Sequence, residues 1–238
     1  MWPDHRPAEP DPARTGEGSR PDGSTRAVLP WRTAYEIREE DHSVATVDRA
    51  QGTGVRPAQT WRTRDIVVTA LIGIVFGVVF VAWNQVYAYF GFLQPPVLQD
   101  WAYGVWLIPA VLAPLIIRKP GAALFAEMLA ASVSALLGSQ WGFDTLLSGF
   151  MQGVAAEAVF AAVRYRSWSF VVLAAAALAS AAAAWLHDWF IYYAGFAVDV
   201  QIVRLVIMGV SAVIFVALGS RALERSLRRA GVLEGYPV

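Results

Sequence analysis

A few charged and amide side chains stand inside long apolar runs of this sequence, and these are the residues that could do chemistry. Asn84, Gln85, Glu127, Gln152, Glu157, His187, Asp188 and Arg204 all lie in such runs. A carboxylate or amide in apolar surroundings costs free energy unless it is paired or faces a polar cavity. Glu127 and Glu157 therefore have two readings: a ligand or coupling role, or a structural hydrogen bond. The parts needed for bond-making chemistry are missing. There is no cysteine, which excludes disulfides, thiolate metal sites and cysteine nucleophiles. His5 and His42 lie near the N-terminus and leave His187 alone in the apolar body, too few for a histidine metal cluster. Neither G-x-S-x-G nor H-E-x-x-H occurs, so an intramembrane enzyme is disfavoured. The sole lysine, Lys119, precedes Pro120, so no phosphate-binding G-x-x-x-x-G-K-[ST] loop exists and any ATP must be hydrolysed by another chain.

The elements that must position these residues are membrane helices. A crossing needs about 20 largely apolar residues. Six segments qualify, roughly 66–90, 101–117, 121–138, 144–163, 168–193 and 201–222. Pro120 suits a helix start, and Pro109 and Pro114 predict a kink in the second span. Basic residues alternate strictly between the connections. Arg62 and Arg64, Arg118 and Lys119, Arg164 and Arg166, and Arg221, Arg225, Arg228 and Arg229 flank one set of span ends. The loops around 91–100, 139–143 and 194–200 contain neither Lys nor Arg. The expected fold class is therefore an all-α integral membrane protein, a six-transmembrane-helix bundle with both termini cytoplasmic. Trp101, Trp141, Trp189, Tyr192 and Tyr193 fall at the opposite, outer boundary, as an aromatic belt would.

Residues 1–60 are rich in Pro, Gly, Asp, Glu and Arg and predict a disordered cytoplasmic tail, within which Trp31–Arg38 could form an interfacial or partner-binding segment. Residues 61–225 form the membrane domain and 226–238 a short cytoplasmic C-terminal tail. No apolar run precedes Ile66, so no secretory leader is expected.

The helical repeat sorts the polar residues onto faces. Thr145, Gly149, Gln152, Gly153 and Ala156 share one stripe, with Glu157 on its shoulder. Glu127, Ala131, Ser134 and Gly138 make another, and Ser180, Ala184 and His187 a third. Small residues in stripes permit close helix packing in lipid, which is the reading for Ser134, Ser180 and Gly149. Gly73 and Gly77 form a small-xxx-small pair with Asn84 on the same face. Asp188 and Arg204 predict a structural salt bridge at the outer rim. His187 predicts a satisfied rim residue.

Three stretches, "RDIVVTALIGIVFGVVFVAWN", "RKPGAALFAEMLAASVSALLGSQWG" and "LLSGFMQGVAAEAVFAAVRYRSW", together resemble one family. The sequence is similar to the YkoE-type substrate-binding S components of energy-coupling-factor (ECF) transporters for thiamine and its precursor hydroxymethylpyrimidine. The likeness runs from about Trp61 to Arg221 and excludes the N-terminal tail. It implies a six-helix, non-catalytic subunit of the bacterial plasma membrane that captures a vitamin from outside. Its implied partners are a membrane coupling subunit and two cytoplasmic ATPases, which use the ATP; this chain itself needs no cofactor. Small residues on span one serve the coupling contact in the family, and Gly73 and Gly77 are the matching positions here.

An aminopyrimidine presents an amino donor, ring-nitrogen acceptors and a flat face, so its pocket needs carboxylate or amide partners and an aromatic wall. Glu127, Gln152, Asn84, Trp141, His187 and Tyr192 supply these types, with Glu157 as a further candidate. Glu127 or Gln152 is expected to pair with the pyrimidine, and Trp141 or Tyr192 to stack on it or close over it. The rival reading is a small proton-coupled secondary transporter using Glu127 and Glu157.

Overall fold

The computed structural model describes residues 60–91 and 96–236. The tail expected over 1–60, including Trp31–Arg38, lies outside the described residues but for Thr60. The described chain is helical throughout. Helix α1 (Thr63–Gly91) is followed by α2 (Pro96–Gln99), which continues through a 3-10 stretch (Asp100–Leu107) into α3 (Ile108–Ile117). Then come α4 (Ala122–Leu136), α5 (Asp144–Ala162) and α6 (Phe170–Ile191). Helix α7 (Val198–Ser211) passes through a π-helical stretch (Ala212–Leu218) into α8 (Gly219–Arg229). Among the described residues, five segments are long and apolar enough to cross a membrane: Thr63–Phe90, Val97–Ile117, Asp144–Ala162, Phe170–Ile191 and Val198–Arg229. The expected third span is shorter than this, since α4 has 15 residues.

The ends of α4 show why. Pro120 and Gly121 (φ 87°) start it late, and Gly138 (φ 94°) ends it early. Gly138 N–H donates to Ala135 O at 3.2 Å and Ser139 N–H to Ser134 O at 3.0 Å, a Schellman closure that only a left-handed residue completes. Helix α5 ends in the same way through Arg164, and α8 through Gly231. Helix α8 runs past the boundary expected at residue 225, and Leu233 beyond it is buried against Leu112, Ile116 and Ile117.

The second span differs most from expectation. Pro109 does not kink an α-helix; it sits in the first turn of α3, where a missing N–H costs nothing, after eight residues of 3-10 winding. This segment is the central pillar of the bundle, almost wholly buried, with α1, α4, α5, α6 and α8 around it. Leu107, Val111 and Leu115 meet Phe160, Leu173, Met208 and Val216 in the core. The outer faces expose apolar side chains such as Val67, Leu71, Val171, Val206 and Val210.

The basic connections gather at one end. The Asp65 carboxylate accepts from Arg62 N–H at 2.9 Å and pairs with Lys119, and Arg221 donates to Trp168 O. At the other end the aromatic residues meet, with Trp101 against Trp83 and Phe90.

Candidate functional site

A cavity of about 310 Å³ opens toward the aromatic end, walled by α1, the 3-10 stretch, α4, α5 and α6. Its floor is Glu127. Ala110 lies in the first turn of α3, just after the 3-10 stretch, and Glu127 Oε2 accepts its N–H at 3.1 Å. One carboxylate oxygen is thus fixed while the side chain lines the cavity. Gln152 stands beside it from α5, oriented by its Nε2 donating to Ser148 Oγ at 2.6 Å. Ser180 Oγ donates to the Gln152 carbonyl at 2.9 Å and ties α6 to α5 at this depth.

Above the floor the wall is aromatic. Tyr87 and Trp106 meet edge to face with centroids 5.0 Å apart, and Trp141 closes the group at 5.4 Å from Trp106 and 5.9 Å from Tyr87. Tyr103 packs on Trp106 at 5.4 Å. Asn84 fixes this wall: its Oδ1 accepts from Trp106 Nε1 at 3.0 Å, and its Nδ2 reaches Ser139 Oγ at 3.5 Å. Opposite, Gly149 lets α5 approach α4 so closely that a Cβ there would lie 2.7 Å from Ala131 Cβ.

Charges ring the mouth. His187 Nδ1 lies 3.0 Å from Asp188 Oδ1, and its Nε2 lies 3.1 Å from Asp144 Oδ1. Only the doubly protonated imidazole donates to both carboxylates at once. Tyr192 also donates to Asp144, and burial together with that bond pushes its phenol pKa up, keeping it a donor. Arg204, wholly buried, stacks 3.6 Å over the Tyr193 ring.

Of the residues expected at the site, the structure brings Asn84, Glu127, Trp141, Gln152, His187 and Tyr192 together in this cavity. Glu157 is a correction. It lies at the basic end, where Gly121 begins α4 with no side chain to cap it. Its carboxylate accepts from Gly121 N–H at 2.6 Å, Ala123 N–H at 3.0 Å and Tyr165 hydroxyl at 2.5 Å. Gly73 and Gly77, expected at the coupling contact, have close neighbours within the chain. They face α4 of the same chain: a Cβ on Gly77 would meet Val133 Cβ at 2.5 Å, and one on Gly73 would meet Leu129 Cβ at 2.9 Å. The rim salt bridge expected between Asp188 and Arg204 is present, Nη2 to Oδ2 at 3.7 Å, with a closer second partner. Arg204 also pairs with Asp100, Nε to Oδ2 at 2.8 Å.

Sequence reasoning missed Tyr87, Tyr103 and Trp106. Tyr87 was within reach, lying three residues beyond Asn84 and so on its face. Tyr103 and Trp106 were hidden by 3-10 winding, whose period differs from the α-helical one.

The cavity of this helical bundle can be set against known proteins. Residues 64–183 match the family described as the permease component of an ABC-type cobalt transport system. A Bacillus subtilis (strain 168) protein named as an HMP/thiamine permease, YkoE, is 36% identical over 178 residues, covering 74% of this chain and 89% of that protein. A crystal structure of an S component of an ECF transporter superposes with a TM-score of 0.73 at 36% identity, covering 75% of this chain and 91% of that one. The chain belongs to the YkoE-type S components of ECF transporters. This S component is thus a multi-pass membrane protein and a non-catalytic substrate-capture subunit. The secondary-carrier alternative loses its footing, because Glu157 serves as a helix cap away from Glu127's cavity.

Proposed function

We propose that this S component captures thiamine or its hydroxymethylpyrimidine precursor from outside the cell. The observation that carries the reading is a buried carboxylate and amide, Glu127 and Gln152, lying beneath an aromatic wall of Tyr87, Trp106 and Trp141. A carboxylate accepts from the exocyclic amino group of an aminopyrimidine, an amide both donates and accepts along the same edge, and the ring face stacks on the aromatics. The cavity volume, about 310 Å³, lies at the small end of the range for small-molecule sites. The name of the Bacillus relative supports this ligand class. The family description instead mentions cobalt. The donor set speaks against a metal: among the described residues no three His, Cys, Asp or Glu groups converge as ligands.

In this reading α4 also crosses, as the third of six spans, about 22 Å long and packed between α1 and α5. The basic end faces the cytoplasm, as do both termini and the first sixty residues, and the cavity mouth faces outward. The protein sits in a bacterial plasma membrane with a coupling subunit and two ATPases, which consume the ATP; this chain carries no cofactor. The test is titration of the Glu127→Gln and Gln152→Ala proteins with both compounds. The reading expects each to weaken binding at least about tenfold; wild-type affinity in both would sink it.

A further inference from the structure

Helix α4 carries two serines that behave differently. Ser132 Oγ donates to Met128 O at 2.7 Å, the local bond that a helical serine ordinarily makes to the preceding turn. Ser134 makes no such bond. Its residue is 1% exposed, it lines the cavity, and its hydroxyl has no hydrogen-bond partner. The lining offers other small polar groups, and they are engaged: Asn84 with Trp106, Ser139 with Thr145, Ser148 with Gln152. A buried hydroxyl left unbonded is costly, and proteins rarely keep one without a reason.

Ser134 stands seven residues beyond Glu127 on the same face of α4, about 10 Å further toward the mouth. Ala131 lies between them on that face, and the missing side chain of Gly149 opposite leaves Ala131 its room. The two polar groups thus mark two heights of one cavity, the floor and a point below the charged mouth.

We infer that Ser134 is a ligand-contact residue, whose hydroxyl bonds a polar atom of the captured molecule at a second height above the Glu127 floor. This rests on the vitamin-capture reading and adds to it that the ligand is held at two separated polar points. No hydrogen bond within the bundle depends on this hydroxyl. Alanine in its place removes an unbonded group and favours the helix.

The test is calorimetric titration of wild-type, Ser134→Ala and Ser132→Ala proteins with thiamine and with hydroxymethylpyrimidine, alongside thermal unfolding of each without ligand. Ser134→Ala is expected to weaken the tighter-binding compound about tenfold while its unfolding temperature stays level or rises. Ser132→Ala is expected to bind within about twofold of wild type. Equal affinity in Ser134→Ala and wild type overturns the inference, as does an equal loss in Ser132→Ala or a lowered unfolding temperature in Ser134→Ala. A folded wild type that binds neither compound overturns the vitamin-capture reading itself and is told apart by that result.

Discussion

Glu127 and Glu157 are chemically identical side chains in apolar stretches, and their neighbours give them different work. Glu127 is held by one backbone N–H beside a cavity, whereas three N–H groups at the start of α4 and a tyrosine hydroxyl surround Glu157. Glu157→Ala should therefore lower unfolding stability by about 1–2 kcal/mol, as loss of a helix cap does, and leave ligand affinity within about twofold. Denaturation and titration of the same variant check both parts. The sequence marked both residues as needing an explanation, because an acid among apolar residues always does. It could not tell them apart, since the deciding partners, Ala110 and Gly121, lie 17 and 36 residues away. One clue was present: "KPGAA" opens a helix without Ser, Thr, Asp or Asn, so a cap had to come from elsewhere. Arg204 teaches the same lesson. Its buried partner Asp100 is 104 residues distant and sits where the sequence read as a loop.

At the scale of elements, α1, α4 and α5 are held together through glycines of α1 and α5 that face the backbone and side chains of α4. Periodicity made the small-residue stripes legible; the partner of each stripe was not, because any helix can fill a glycine groove. Gly77→Val should force α1 away from α4, since even a Cβ would lie 2.5 Å from Val133 Cβ and 2.9 Å from Ala130 O. The expected cost is about 1–3 kcal/mol of stability. Ligand binding should weaken too, because Phe80, Asn84 and Tyr87 ride on the same helix. Full stability in this variant would contradict the packing described. The 3-10 stretch limits what periodicity can reveal. It places Tyr103 and Trp106 on the cavity and lets Gly104 approach α7, with Gly104 N–H donating to Ser211 Oγ at 2.8 Å.

For the molecule as a whole, composition and charge alternation made the helical membrane class and its two unlike ends readable. The basic turns do converge at one end of the bundle and the cavity opens at the other. The direction in which these ends face the membrane follows from the positive-inside rule alone. Because the chain has no cysteine, single cysteines can report it cleanly. Gly195→Cys should react with a membrane-impermeant maleimide in intact cells, and Arg166→Cys only after permeabilisation. The reverse pattern would invert the proposed topology.

The most direct test of the capture role is isothermal titration of the purified, ligand-free wild-type protein with thiamine, hydroxymethylpyrimidine and cobalt(II). The account predicts tight, saturable binding of at least one of the two organic compounds and none of the metal. A folded sample that binds cobalt, or binds neither compound, would contradict it.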